Sequence, residues 1–576
     1  MSRAVVSLSQ ARRKAARSDD DAPPPPAGPH DIDAATCPVQ PLGTRANKYF
    51  FFGASGELLE MTAQHLGQGA QLISLFAGDK AWPVANFPQL DKEGAPTGWF
   101  SARGLGAWLV AECHAKGLFG GGEPERDIGV WRTPAGVAVH LGHEVWLGAR
   151  RQRAGFRAWG ALWPARPRCV LPDDEPATAA MAAMLEGAFQ RWHWLQPEAP
   201  KLFFGAYAAG LLGAAIRWRP HILVVGAAGT GKSTLMETYL AASPLAESQN
   251  DYTEAGLRQA LNSRARPALL DEAEGDLDGA NKLRKVIGLL RLASGGAGAQ
   301  SLKGSPEGHA KRFEVIVAAV LGGILPPALD PQDATRITRL DLRPRRLNGH
   351  PLPNEAFQQE LRDMAPALWA RALAGIPRFE AALARLRVEI MARGCTPRLA
   401  DQLGTILAAR HMMLSDADLA AGEEQEICDE FELFLPPEID QRQDDGPIAC
   451  LHHLLQSPSR THRNGEQPSL GSIVQRARQD FGMVDSVAAN ASLQAHGLKL
   501  ARRPARDPSA PLCLLVADRH TLLETIFANT RWAGRRWRED LLRLPDACPD
   551  NLRIDMIKQR CTVIPAIHLP EKDPDD

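Results

Sequence analysis

Lysine is scarce in this chain: of its 66 basic residues only 14 are Lys, while Ala, Gly and Pro are abundant. An arginine cluster here therefore says little about phosphate binding, and each lysine says more. No apolar run reaches the ~18 residues of a membrane span, and the nearest approach, Leu202 to Ile216, reads as a buried helix. The nine cysteines contain no Cys-x-x-Cys pair, which argues against a zinc ribbon and against a secreted disulfide framework. The expected compartment is the reducing cytoplasm, with no membrane contact. A formal net charge of -1 excludes a basic nucleic-acid coat, so any nucleic-acid contact has to be a local patch.

At 44% hydrophobic and 576 residues, the chain has material for about three or four domains. Residues 1–42, with an Arg-rich start, an acidic triplet and four successive prolines, read as a disordered tail without a secretory apolar segment. Residues 43–150 alternate short apolar segments with turns around a helix near Leu105 to Lys116, the pattern of a small α+β accessory domain. Residues 151–215 read as an Arg/Pro-rich linker, Arg150 to Arg168, and a helical lead whose Trp192 and Trp194 are expected to pack. Alternating strands and helices over 216–345 mark a parallel α/β core. Residues 346–435 read as a helical lid, 436–446 as a polar linker and 447–570 as a winged-helix-like domain.

The most specific signal lies in the α/β core. An apolar strand, His221 to Val225, runs into Gly226, Ala227, Ala228, Gly229, Thr230, Gly231, Lys232, Ser233 and Thr234, and then into a helical stretch, Leu235 to Ala242. This is Gly-x4-Gly-Lys-Ser in its strand-loop-helix setting. Glycines let backbone N–H groups curl around a phosphate, the helix N-terminus adds partial positive charge, Lys232 neutralises β/γ oxygens and Ser233 ligates Mg²⁺. The bland alternative is an ordinary glycine-rich turn. Thirty-eight positions after Ser233, the short strand Pro267 to Leu270 ends in Asp271 and Glu272. Asp271 would hold Mg²⁺ through water and Glu272 would polarise an attacking water. An acidic pair also suits a helix start, and Glu274 and Asp276 keep that alternative open.

Two turn-rich segments between Ala293 and Phe313 predict a β-hairpin, followed by a strand Phe313 to Leu321. Lys303, His309 and Lys311 on it would grip the phosphates of a nucleic-acid strand; the alternative is a solvated loop. Arg336, on the approach to another strand, would reach a nucleotide bound by a neighbouring subunit, or would form a structural pair with Asp333. In the C-terminal domain three helices and two strands suggest a winged helix, with Arg476 and Arg478 towards DNA and Arg502, Arg503 and Arg506 in the wing. The alternative is an adaptor packed on the core. Trp532 and Trp537 either stack bases or anchor a terminal helix.

Trp218 to Thr234, Leu269 to Glu272, the Lys303 to Gly308 turn and Asp333 to Arg336 together resemble the ATPase core of phage- and prophage-encoded primase/helicase proteins, near the superfamily 3 helicases of the AAA+ class. Leu514 to His520 and Thr530 to Trp537 are similar to the tail of that group. The likeness runs from Tyr49 to Pro565, strongest at the glycine-rich loop. It implies an ATP- and Mg²⁺-dependent P-loop ATPase with a ring-forming, often hexameric, assembly that moves along DNA, expected here to be single-stranded, during replication of a mobile element. One departure matters: such enzymes carry a polar sensor at the end of the strand after the hairpin, and Leu321 to Pro326 offers none. That leaves room for an ATP-gated assembly switch or defence ATPase of low turnover. A bifunctional primase-helicase is a further alternative, although residues 43–150 hold neither an Asp-x-Asp pair nor a cysteine cluster.

Overall fold

The computed structural model describes residues 32–120, 122–271, 277–296, 299–304, 310–324, 329, 331–345, 351–435, 446–459, 467–479, 481–504, 507–528, 530–554 and 557–569. It is a mixed α/β molecule with an N-terminal β-sheet domain, a five-stranded parallel sheet, a helical domain and a C-terminal sheet-and-helix domain.

The N-terminal domain begins with three antiparallel strands, β1 (Gln40–Arg45), β2 (Lys48–Phe52) and β3 (Leu58–Thr62). β1 starts inside the expected tail because Val39 is already buried. Period-2 alternation in β2 sends Phe51 into a core with helix α1 (Ala102–Lys116), and Phe50 and Phe52 to the opposite face with Leu42, Phe119 and Leu162. A second antiparallel sheet follows: β4 (Gly129–Thr133), β5 (Gly136–His140), β6 (Glu144–Leu147) and β7 (Arg150–Arg153). The stretch Arg150 to Arg168 is therefore no linker. It forms β7 and a hairpin, β8 (Phe156–Ala158) with β9 (Ala161–Trp163), whose Trp163 is 1% exposed. Several of its arginines have partners: Arg151 lies over Trp146, Arg157 pairs with Glu123, and Arg166 pairs with Asp127 and Glu125.

Two lead helices, α2 (Ala179–Phe189) and α3 (Ala199–Leu211), connect to the parallel sheet. Its strands in chain order are β10 (His221–Gly226), β11 (Glu247–Gln249), β12 (Ala268–Leu270), β15 (Ala319–Gly323) and β16 (Ile337–Leu342), and in space β11-β12-β15-β10-β16, all parallel. Helices α4 (Lys232–Ala242), α5 (Glu254–Ala260) and α6 (Leu277–Ala293) interleave with them. β10 is buried throughout, as a central parallel strand must be, and its side chains divide by parity. Ile222 and Val224 join the core shared with α3 and the helical domain, while Leu223 and Val225 join the core beneath α6.

Before β15 stands the predicted hairpin, β13 (Ala299–Gly304) against β14 (Ala310–Val315). The single strand expected from Phe313 to Leu321 is two: the chain leaves the antiparallel hairpin at Ile316 and enters the parallel sheet at Ala319. A hydrophobic run cannot report that change of partner, because both halves are buried.

The helical domain comprises α7 (Glu355–Ala374), α8 (Ile376–Ala392), α9 (Pro397–Leu414) and α10 (Glu423–Glu430). α9 packs on α3 and α8, and its Leu403, Ile406, Leu407 and Met413 are buried, at about 2 kcal/mol per apolar side chain. Gln402, fully buried on the same helix, donates to His221 O (2.9 Å) and Thr338 Oγ1 (3.1 Å) and accepts from Trp218 Nε1 (2.9 Å), tying α9 to the start of β10 and to β16.

The C-terminal domain contains α11 (Pro447–Gln456), α12 (Leu470–Arg478) and α13 (Val484–Gln494), then β17 (Leu498–Arg502) and β18 (Leu512–Ala517). The expected two strands are half of a four-stranded antiparallel sheet, completed by β19 (Cys548–Ile554) and β20 (Ile557–Pro565) in the order β17-β18-β20-β19. Trp532 and Trp537 sit in its core at 8% and 1% exposure, with Trp537 stacked on Phe527 and Trp532 donating to Asp540. They anchor; they are not a stacking platform for bases.

Candidate nucleotide-binding site

β10 delivers the glycine-rich loop to the C-terminal edge of the sheet, the edge at which open parallel sheets bind ligands. Gly231, at φ 89°, turns the chain into α4 and serves as its N-cap without any side-chain hydrogen bond. The first N–H groups of α4 therefore have no side-chain cap, the condition for receiving an anion. Thr230, 1% exposed, braces the loop by donating to Ala227 O (2.9 Å). Lys232 Nζ is folded across the loop, donating to Gly226 O (2.7 Å) and Ala227 O (3.2 Å).

Ser233 Oγ donates to Asp271 Oδ2 at 3.0 Å, which brings the hydroxyl of the loop and the carboxylate at the end of β12 together. The two strands are not neighbours. β15 lies between them, with Leu321 opposite Leu270 and Gly322 opposite Val224, so β10 and β12 are roughly 10 Å apart. The gap is crossed over the end of β15, where Gly322 has no side chain: a Cβ there would lie 2.6 Å from Met236 Cε and 2.8 Å from Asp271 Oδ1. Asp271 N donates to Gln249 O (3.2 Å), fixing the carboxylate's backbone from the other side.

The segment after α2 also reaches the loop. Trp192 Nε1 donates to Gly231 O (2.9 Å), His193 pairs through its backbone with Arg343, and Leu195 N donates to Asp341 O, so this segment runs beside the end of β16. Leu352, ahead of α7, closes on Gly231 from the side of the helical domain. Sequence reasoning assigned Trp192 to packing, and no spacing pattern pointed to the loop. Gly322 was legible, since two successive glycines ending an apolar strand signal a close approach.

Among the other expected site residues, Glu272 and His309 lie outside the described residues, as does Arg506. Lys303 and Lys311 are directly opposite each other in the β13–β14 register. Arg336 precedes β16 at the opposite end of the sheet: Ile337 pairs with His221 and Leu342 with Gly226, placing Arg336 roughly 20 Å along the strand from its own loop. Burial, and then the cations Arg398 and Arg291, lower the Arg336 guanidinium, while Asp333 works the other way. The Asp333 carboxylate also pairs with Arg291 (3.3 Å). In the C-terminal domain Arg502 donates to Ala510 O (2.7 Å) and lies near the Phe481 ring, and Arg503 is paired with Asp550. Arg476 is exposed on α12 and Arg478 half-buried. The third helix of this domain, α13, exposes Val484, Val487, Ala488 and Ala491, and its single charged residue is Asp485.

No protein-family profile matches the chain, and no curated protein matches its sequence. Among solved structures, it is similar to the active helicase Cch of SCCmec type IV, at 12% identity and a TM-score of 0.41, with 90% of each chain covered. It is also similar to the apo C-terminal region of NrS-1, at 10% identity and a TM-score of 0.36, with 92% of this chain and 96% of that one covered. A second form of that region aligns at 10% identity and a TM-score of 0.34, covering 91% and 96%.

No helix among the described residues is long and apolar enough to cross a membrane. The described residues also contain no group of three or more His, Cys, Asp or Glu side chains arranged to hold a metal by themselves. Ser233 and Asp271, in contact with each other, are the pair that could share a divalent ion with phosphate oxygens and water, the usual ligands of Mg²⁺.

Proposed function

We propose that the chain is an AAA+-like P-loop ATPase with a helical lid and a winged-helix-like C-terminal domain, acting on single-stranded DNA as a helicase or translocase of a mobile element and working as a ring. The observation that carries this reading is the 3.0 Å contact from Ser233, in a Gly-x4-Gly-Lys-Ser loop, to Asp271 on a non-adjacent strand. A glycine-rich turn of purely structural origin has no reason to align a hydroxyl with a carboxylate across an intervening strand.

The residues fit a Mg²⁺-nucleotide. Ser233 and Asp271 would hold the ion, directly and through water, and the ion would supply neutralisation of phosphate charge. Open N–H groups at Gly231 to Ser233 would receive β-phosphate oxygens. Lys232 would exchange two carbonyl partners for phosphate oxygens, trading neutral hydrogen bonds for charge-assisted ones that are about twice as strong. Glu272, next in sequence after Asp271, would orient water. Arg336 is too far from its own loop and would act on the nucleotide of a neighbouring subunit. Lys303 and Lys311, paired across the hairpin register, would contact the DNA backbone together with His309. In the C-terminal domain any DNA contact would fall to Arg476, Arg502 and Arg503 rather than to α13, which carries no cation.

Phosphate release from Mg·ATP, with and without single-stranded DNA, tests this. A DNA-stimulated rate abolished by Lys232→Ala and Glu272→Gln is expected. Tight binding with negligible turnover, unchanged by DNA, would favour the second reading, an ATP-gated assembly switch. Gly322 supports that second reading, because it stands where a polar sensor would.

A further inference from the structure

The N-terminal domain has no role in the reading above, yet it is fastened to the two elements that reading depends on. The connector from Asn262 to Pro267 leads straight into β12, and so to Asp271. On one side it holds the hairpin: Ser263 N donates to Glu314 O (2.8 Å), and Glu314 N donates to Asn262 Oδ1 (2.8 Å). On the other it holds the N-terminal domain: Asp127 N donates to Ser263 O (2.9 Å), and Gly129 bridges Ala265. The approach is close enough that a Cβ at Gly129 would lie 2.5 Å from Ala265 O. Ser263 itself sits at φ 62°, a left-handed conformation that a serine adopts only when its surroundings hold it.

A direct ion pair closes the triangle. Arg126, from the N-terminal domain, donates to Glu314 on the hairpin arm at 2.8 Å; Glu314 is 7% exposed, and the Arg126 guanidinium stacks on Trp131. Arg264 of the connector pairs with Glu247 at the start of β11 (2.9 Å) and approaches Asp127 (3.8 Å). Part of the domain contact is apolar: Ala265 and Ile316 lie in one core with Trp131 and Trp163, and Ile128 and Val130 join the core of α3. Its buried, directional partners at Ser263 and Glu314 fall on the connector shared by the hairpin and the Asp271 strand.

We infer that the N-terminal β-sheet domain is a coupling element, which locks the hairpin arm and the Asp271 strand into one body through Arg126–Glu314, so that nucleic acid on the hairpin alters turnover at the nucleotide. This rests on the ATPase reading for its functional half and on the connector alone for its structural half.

The experiment uses the full chain with Glu314→Gln, nearly isosteric, and Arg126→Met, which keeps the stem on Trp131. Arg132→Met is the control: it removes a different contact of the same domain, the pair with exposed Glu380 on α8. Hydrolysis without DNA should be unchanged in all three. Stimulation by single-stranded DNA should fall about fivefold or more in the first two only, at the lower end of ordinary coupling between sites. Hydrogen exchange, read without any nucleotide, should rise together in 261–270 and 310–315 in those two variants. Wild-type stimulation or unchanged exchange in both segments overturns the coupling. A wild-type protein that hydrolyses nothing, with exchange rising as expected, instead sinks the ATPase reading and leaves the mechanical lock standing.

Discussion

Gly322→Ala is the sharpest test of the site, because one methyl group separates the carboxylate from the loop. The backbone at 322 has no left-handed torsion, so alanine is allowed there and the whole effect is local. The added Cβ meets Met236 Cε at 2.6 Å and Asp271 Oδ1 at 2.8 Å. The methionine can turn aside, as the end of a long unbranched chain does. The carboxylate has a two-bond stem and is held by Ser233, so it must rotate and release that hydroxyl. Moving that carboxylate off the position at which it would meet the ion removes one charge-assisted contact, about 1.5–3 kcal/mol, which is roughly a 10- to 150-fold loss of affinity for the metal-bound nucleotide. Titrations of a fluorescent ATP analogue in Mg²⁺ and in EDTA separate the terms. The Mg²⁺ curve should shift while the EDTA curve stays, since the loop N–H groups and Lys232 are untouched. Equal shifts in both would place the damage in the loop, and no shift in either would mean Asp271 does not hold the metal.

Trp192→Phe removes the donor to Gly231 O and should cost nucleotide affinity about 0.5–1.5 kcal/mol, read in the same titration. Arg336→Ala should abolish turnover, by about 10³-fold or more, with binding intact; mixing it with Lys232→Ala should restore activity if the arginine serves a neighbour's site. Burial pushes the His221 imidazole down to about 4, with Nδ1 accepting from Ala319 N and Nε2 donating to Leu290 O. A folded value below the unfolded one means the unfolded chain takes up the proton first, so stability is full above pH ~6.5 and falls as the pH drops towards 4. The slope is about 2 kcal/mol between pH 6.5 and 5 for this residue, and His221→Gln should flatten the fall in thermal midpoint over that range.

The parallel sheet was readable because β10, β12 and the loop carry local signals: an apolar run, a glycine pattern and an acidic end. What the sequence hid was partnership. The buried run from Phe313 to Leu321 changes sheets at Ile316, and hydrophobicity is the same on both sides of the change. Arg150 to Arg168 read as a linker because composition does not reveal that Arg166 faces Asp127 and Glu125. Trp192 was assigned to packing, a correct reading of its burial that misses the indole N–H pointing at Gly231. At the candidate site, Lys232, Ser233 and Asp271 were named from spacing alone and lie together; Arg336 was named too, and only the β16 register reveals that it faces away from its own loop.

The position of β10 in the sheet also sets a schedule for the chain. Both of its hydrogen-bonding neighbours, β15 and β16, come later in sequence, and β11 and β12, made first, touch it nowhere. From the moment the loop strand leaves the ribosome until Ala319 follows, roughly ninety residues later, His221 to Gly226 has two bare edges and an apolar surface on each face. Such a strand is an aggregation hazard while it waits. The lead helices α2 and α3 and the residues Ile128, Val130 and Val139, all synthesised earlier and sharing the core of Ile222 and Val224, are the surfaces that can shelter one of its faces in the interval. The candidate site is therefore a late product of synthesis, and a chain interrupted before Ala319 would carry the whole Gly-x4-Gly-Lys-Ser sequence without either strand that flanks β10.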